Sequence, residues 1–306
     1  MSRPASSGGQ DQPSLKALNR RAEAILKARP AYKEMVDFYL TVFRRQIEWR
    51  DRLAVHPEEV TAEQARECLR KGVVLCECYD PGIASESLLN LWTEMKEIFR
   101  RGNDVLRRAM DKIDDDEKTD GFVSAAWLTE QRPDRGELVA DAARQIGVDE
   151  SVLATLVRAV TFPHWERVAH RWLPPGRLDE WRRFRCPTCG GVPGLVENRA
   201  ERNGRDGDSP VTRRLMHCPF CGSCWVVPTL TCPACGSTKA GDARYLFTPD
   251  EPELRIDFCN SCHHYVKVVD GGKVSGPVHV GLELLTAAHL DVIARDKKLS
   301  PLEVCA

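Results

Sequence analysis

Cysteine is the residue in this 306-residue sequence whose number and spacing could do chemistry. Of thirteen cysteines, nine crowd into 77 residues: Cys186, Cys189, Cys218, Cys221, Cys224, Cys232, Cys235, Cys259 and Cys262. Eight of these form four pairs with one spacing: Cys186-Pro-Thr-Cys189-Gly190, Cys218-Pro-Phe-Cys221-Gly222, Cys232-Pro-Ala-Cys235-Gly236 and Cys259-Asn-Ser-Cys262-His263. Two residues between cysteines let both thiolates reach one metal ion from a tight turn. A glycine after the second cysteine permits the positive φ that closes the turn and points backbone N–H groups at sulfur. Eight thiolates in four such turns make two tetrahedral sites of four sulfurs. Cys68, Cys76 and Cys78 in the first half lack a nearby fourth partner and read as small core residues, and Cys305 stands near the end. An odd cysteine count, behind an N-terminus with no apolar leader, argues against a disulfide scaffold. Tandem pairs among short strands also differ from the single dithiol at a helix start that thioredoxin-type chemistry uses.

Four pairs can be joined in three ways. The sequential reading joins Cys186/Cys189 with Cys218/Cys221 and Cys232/Cys235 with Cys259/Cys262, leaving gaps of 28 and 23 residues that suit short strands. An interleaved cross-brace is the competing arrangement. Cys224 also has the spacing with Cys221, but bulky Trp225 follows it, so Cys218/Cys221 is preferred and Cys224 reads as a free thiol near the site. By spacing alone the metal defaults to zinc, although rubredoxin-like modules hold iron in the same geometry. His263 and His264 read as surface or supporting groups. His164 and His170 read as polar members of a helix face. No phosphate loop, carboxylate pair or nucleophile elbow is present, so no catalytic residue is assigned.

The elements that must position these cysteines change character along the chain. The first 180 or so residues are helical in pattern. Tyr32, Val36, Tyr39, Phe43 and Ile47 recur every three or four positions behind Pro30, and Leu88, Leu91, Trp92, Met95, Ile98 and Phe99 form a second stripe. Val152, Leu153, Leu156, Val157 and Val160 form a third. A fourth, starting just after Pro163, holds His164, Trp165, Val168, Ala169 and Trp172. The acidic run 111–121 reads as a solvated loop. Pro174-Pro175-Gly176 ends the helical pattern. Short strands follow at 195–197, 225–227, 244–247, 254–258 and 265–269, with a polar loop over 198–209 that carries Arg199, Arg202 and Arg205. A helix of about four turns near 281–297 closes the chain, with Leu282, Leu285, His289, Val292 and Ile293 on one side. The expected fold is multidomain α+β: a disordered tail (1–13), an all-α helical domain (14–181), two small β-rich rubredoxin-like or zinc-ribbon-like four-cysteine modules (182–230 and 231–280), and a C-terminal helix with a tail (281–306).

Charge excludes some functions. Forty-four basic and 45 acidic side chains give a net charge of −1, and residues 182–306 carry only +2. Neither value is the basic footprint of a nucleic-acid binder. No apolar run is long enough to span a membrane, and the Ser-, Gly- and Pro-rich start is no secretory signal.

The C-terminal half resembles the formate dehydrogenase accessory protein family of the FdhE type. The stretch 186–193 is similar to that family's first knuckle. His217 and Cys218 through Trp225 to Cys235 are similar to its central segment, and Cys259 to Lys267, with His263, His264 and Tyr265, to its last. The resemblance covers about 186–296, and over the helical half it rests on length, helical character and domain order. It implies a cytoplasmic maturation factor, not an enzyme, that is needed for active formate dehydrogenase and binds its catalytic subunit. It also implies two rubredoxin-like iron ions on Cys186, Cys189, Cys218, Cys221, Cys232, Cys235, Cys259 and Cys262, which reverses the zinc default. The competing expectations are an iron protein that itself transfers electrons and a zinc-ribbon nucleic-acid binder.

Overall fold

The helices form where apolar residues share a face. In the computed structural model, which describes residues 13–119, 124, 127, 128, 136–173, 181, 183–201, 211–274 and 276–302, a 3-10 turn at Pro30–Tyr32 and eight α-helices with described bounds precede the sheet. They are α1 (Leu15–Ala28), α2 (Lys33–Arg52), α3 (Ala62–Arg70), α4 (Leu75–Cys78), α5 (Ser85–Arg100), α6 (Asp104–Thr119), α7 (Gly136–Ile146) and α8 (Glu150–Trp172). Val36, Phe43 and Ile47 bury one face of α2, and Leu88, Leu91, Trp92, Met95 and Phe99 bury one face of α5. Local capping fixes the starts. Thr61 and Gln64 form a capping box on α3, and the Asp149 carboxylate accepts from two N–H groups at the head of α8. The N-terminal tail, the boundary at Pro174-Pro175-Gly176, Arg202, Arg205 and Cys305 lie outside the described residues.

Two helical expectations are corrected. Pro163 does not separate two helices, because α8 runs unbroken through it for 23 residues. A proline ring removes the N–H that would bond the carbonyl four residues back. That carbonyl, on Ala159, instead accepts from Nε2 of Gln46 on α2 at 3.0 Å. The acidic run 111–121 is likewise no loop as far as it is described: residues 111–119 are the second half of α6. Met110 and Ile113 are fully buried. Asp114 and Glu117 take the Lys96 ammonium of α5 between them, at 2.8 and 2.6 Å, so the acids pair with a neighbouring helix.

The strands are β1 (Leu195–Glu201), β2 (Val211–His217), β3 (Cys224–Val226), β4 (Ala243–Phe247), β5 (Leu254–Cys259), β6 (His264–Asp270) and β7 (Ser300–Pro301). They form one sheet in the order β3-β2-β1-β6-β5-β4, with β7 on β6. Each half is an antiparallel set of three. A parallel seam joins the halves, with Leu195–Asn198 beside Lys267–Asp270. The loop expected from Asn198 starts later, because Asn198 to Glu201 continue β1 in register with Val211 to Arg214.

Alternation along the strands gives the sheet two apolar faces. Val196, Met216, Trp225, Val266 and Val268 meet Trp165 and Trp172 of α8. Leu195, Ile256, Tyr265 and Val269 meet the C-terminal helices. That closing segment is two short helices, α9 (Val280–Thr286) and α10 (His289–Asp296), not one. Breaking at Ala287–Ala288 lets Leu282 of α9 pack among α1 and α2 while Leu290 and Ala294 of α10 turn onto the sheet, leaving Val292 55% exposed. A buried ion pair locks the two ends of the chain together: Arg21 of α1 donates two hydrogen bonds, of 2.6 and 2.8 Å, to Glu283 of α9.

Candidate metal centres

All four cysteine pairs fold as the same turn. In the three that carry glycine, that glycine's N–H donates to the carbonyl of the first cysteine at 3.0 Å, from Gly190 to Cys186, from Gly222 to Cys218 and from Gly236 to Cys232. Their φ values are 75, 70 and 71°. The fourth pair lacks the glycine but keeps the turn. The His263 N–H donates to the Cys259 carbonyl at 2.9 Å, and His263 adopts φ 59°. The position of His263 is therefore set by backbone closure. Its side chain makes no hydrogen bond or ion pair among the described residues.

The turns come together in the sequential order. Cys186, Cys189, Cys218 and Cys221 form one group, and Cys232, Cys235, Cys259 and Cys262 the other, each with its Sγ atoms within 4.8 Å of one another. The interleaved arrangement is not formed. Across the first group Cys186–Cys221 and Cys189–Cys218 are 3.4 and 3.5 Å apart; across the second Cys232–Cys262 and Cys235–Cys259 are 3.6 and 3.9 Å apart. A metal–sulfur bond of about 2.3 Å places tetrahedral sulfurs about 3.8 Å apart, so both groups could hold a metal ion.

The two sites differ in surroundings. The first is buried at every sulfur, with exposures of 0, 4, 0 and 0% in chain order. Its turns are gripped by the helices. The Leu75 and Cys76 N–H groups at the start of α4 donate to the Pro187 and Thr188 carbonyls, both at 2.9 Å. Phe220 packs on Trp165 of α8, and Gly222 faces Phe162 and Glu166, where a Cβ would meet Glu166 at 3.2 Å. Burial pushes the Cys189 and Cys221 thiols well above their ordinary range. For Cys186 burial acts the same way, but hydrogen bonds from Cys189, Cys218 and Cys221 outweigh it and hold it well below. A divalent cation relieves this conflict, since all four ligands bind it as thiolates. The second site lies at the far end of the sheet, with Cys235 exposed and Cys262 half-buried. There Ser237 and Ser261 both donate to the Asp242 carboxylate, bridging the two turns and holding that carboxyl below its usual range.

No family model matches the chain. Curated relatives do. The FdhE homolog of Aquifex aeolicus is 23% identical over 121 residues, covering 39% of this chain and 40% of that protein. The homolog of Shewanella sp. MR-4 is 27% identical over 150 residues, covering 46% and 45%. That of Shewanella oneidensis is 32% identical over 84 residues, covering 28% and 25%. The chain thus spans less than half the length of the curated relatives it matches. The crystal structure of the FdhE protein from Pseudomonas aeruginosa covers 95% of this chain and 94% of its own, with a TM-score of 0.61 at 16% identity, a match of fold. The chain is thus similar to FdhE homologs over part of its sequence and to a solved FdhE protein in its fold. The fold expected from that resemblance, a helical N-terminal region followed by a β region with two four-cysteine groups, is the one observed.

Several side chains sit differently from expectation. Cys68 and Cys78 are not separate core thiols but are joined as a disulfide, with Cys76 buried between them. The bond closes the segment from α3 to α4, whose far end grips the first metal turn. Cys224 stays out of both groups, and its Sγ lies 3.8 Å from Nε2 of His217. Burial lowers the pKa of His217, but Cys224 and Glu197 beside it outweigh this and raise it to about 10. His164 is buried and bonded to Ser87 at 2.8 Å, as a polar member of its helix face. Arg199, expected on the loop over 198–209, lies on β1. Ser223 and Thr188 were missed as site residues. Their hydroxyls meet at 2.8 Å across the buried site, and that of Ser223 also reaches Cys221 Sγ at 3.1 Å. The available signal was the repeated serine two residues past the second cysteine, at Ser223 and Ser237.

Proposed function

We propose that this chain is an accessory factor required for active formate dehydrogenase, and that it acts by binding that enzyme's catalytic subunit in the cytoplasm. It is read as a maturation protein and not as an enzyme. The supporting observation is the combination of four ordered knuckles with FdhE-type sequence and fold. Among the described residues no helix is long and apolar enough to cross a membrane, which is compatible with this reading. In the same proposal Cys186, Cys189, Cys218 and Cys221 hold one iron ion, and Cys232, Cys235, Cys259 and Cys262 a second. Zinc is the alternative. The metal supplies a fixed four-sulfur node and, if it is iron, a one-electron couple. The chain divides functionally into a helical part (14–181), two metal modules (182–230 and 231–280) and a closing segment (281–306).

A second reading, electron transfer by the metal sites, is favoured by one observation: Cys235 brings a sulfur of the second site to the surface. It requires a reversible visible-absorbance change on reduction, and a colourless zinc protein refutes it. The leading proposal is tested by affinity capture of the tagged chain from its native cells grown on formate. Recovery of a formate dehydrogenase catalytic subunit supports it. Its absence from a capture that enriches some other protein or a nucleic acid refutes it.

A further inference from the structure

The edge of the sheet beside the second metal site is unlike the rest of the surface. β4 ends the strand order, and among the described residues no strand pairs its outer side. Native edge strands are usually protected by lysine, proline, a bulge or a covering element, because a free edge is a template for another chain. The sequence of β4, Ala-Arg-Tyr-Leu-Phe, has no such protection apart from Arg244. Tyr245 and Phe247 point to one face with their rings 6.1 Å apart, and each is 62% exposed. Leu230, 74% exposed, lies on the segment leading into the third knuckle and lines one cavity with Tyr245.

Between that segment and the sheet lies a cavity of about 280 Å³. Its lining includes Arg214, Arg244, Arg255, Asp257, Tyr245 and Leu230. Two guanidinium groups, of Arg214 and Arg255, meet one carboxylate there, while Arg244 alternates to the other face of β4 from Tyr245. Asp257 is already shared, since Arg214 and Arg255 both donate to it. Arg255 also lies over the Tyr245 ring, 5.5 Å from its centroid. Arg244 is exposed and has no hydrogen-bond or ion-pair partner among the described residues. The cavity thus offers net positive charge with a preformed aromatic wall, next to an open strand edge.

We propose that β4 and this cavity form a docking site for an extended acidic segment of a partner protein. The segment adds to β4 as a further strand, its backbone supplying the ladder hydrogen bonds. Apolar side chains at alternate positions cover Tyr245, Phe247 and Leu230, and a carboxylate at an intervening position pairs with Arg244 on the other face of β4. Strand addition supplies binding and the alternating pockets supply selection. The proposal concerns the chemistry of the bound segment and holds whatever protein carries it.

The test begins by panning a random twelve-residue peptide library, displayed on phage, against the metal-loaded full chain. Recovered sequences should share a carboxylate spaced in alternation with apolar residues. For the best synthetic peptide, the double variant Arg244→Glu/Tyr245→Ser should raise Kd at least tenfold in fluorescence anisotropy. Leu230→Ser, which alters no sheet residue, should raise it severalfold, and Val292→Ser on α10 should leave it unchanged. Bound peptide should slow hydrogen exchange of the backbone amides of 243–247. The proposal is overturned if no peptide is enriched, if the recovered peptides lack acidic residues, or if they bind the double variant as tightly as the parent. It is equally overturned if β4 proves to pair two copies of this chain, seen in sedimentation as a dimer that Tyr245→Ser dissolves.

Discussion

Gly236→Ala isolates the backbone contribution to a metal turn. Gly236 sits at φ 71°, and a Cβ built on it meets no atom within 4 Å, so the substitution introduces no clash. What remains is the cost of an L side chain in the left-handed region, about 1–2 kcal/mol. Because closing the turn and binding the ion are one event in a four-thiolate site, this cost appears as weaker metal binding. At about 1.4 kcal/mol per factor of ten, the second site should lose metal affinity by roughly five- to thirtyfold. The first site, built from other turns at the other end of the sheet, should keep its affinity. His263→Gly is the counterpart. It relieves the same strain at φ 59°, while the freer unfolded chain offsets about 0.4–1 kcal/mol, so metal should be held as tightly or tighter. Competition with a chromophoric chelator, with each site followed by its release step, measures both variants. If Gly236→Ala binds metal as tightly as the parent, or weakens the first site instead, the reasoning from turn geometry to metal affinity is refuted.

Three further outcomes follow from the fold. Gln46→Leu leaves the buried Ala159 carbonyl without a donor and should lower the urea unfolding free energy by about 1–3 kcal/mol; an unchanged midpoint would remove Gln46 as the partner that lets α8 run through Pro163. Arg21→Met strands Glu283 in the core and should cost about 3–5 kcal/mol by the same assay, with the double change Arg21→Met/Glu283→Leu recovering most of it. Acid should destabilise the fold through two buried histidines, His164 on α8 and His279 at the head of α9. Burial is the main cause holding both His164 and His279 down to about 4, against 6.5 in the unfolded chain. The unfolded chain therefore takes up protons first. The stability from the neutral rings is complete above pH 6.5 and falls as pH drops toward 4, by about 1.4 kcal/mol per pH unit for each ring. His164→Gln should flatten that slope by one histidine's share in urea titrations at pH 7 and pH 5, and an unaltered slope would contradict the assignment.

What could be read from the sequence was local. The cysteine turns were legible because each is complete within six residues, and the sequential grouping followed from gaps that fit short strands. The helix faces of α2 and α5 were legible for the same reason. The misread elements depend on distant partners. The acidic half of α6 looks like a solvated loop until Lys96 of the neighbouring helix is placed among its carboxylates. Pro163 looks like a helix boundary until Gln46, 117 positions earlier, takes the carbonyl it frees. The bond between Cys68 and Cys78 and the parallel seam of β1 with β6 carry no sequence period at all. His263 reads as a surface or supporting group, yet its place in the knuckle repeat already matches the glycine positions of the other three turns.

The proposed function makes this chain necessary for active formate dehydrogenase. The most direct measurement is formate-dependent dye reduction in extracts of native cells lacking the gene, with the catalytic subunit quantified in the same extracts. The account predicts that activity is lost while the subunit is still made. It also predicts that activity returns on expression of the parent chain but not of one carrying Cys189→Ser and Cys218→Ser. Full formate dehydrogenase activity in the deleted cells would contradict it.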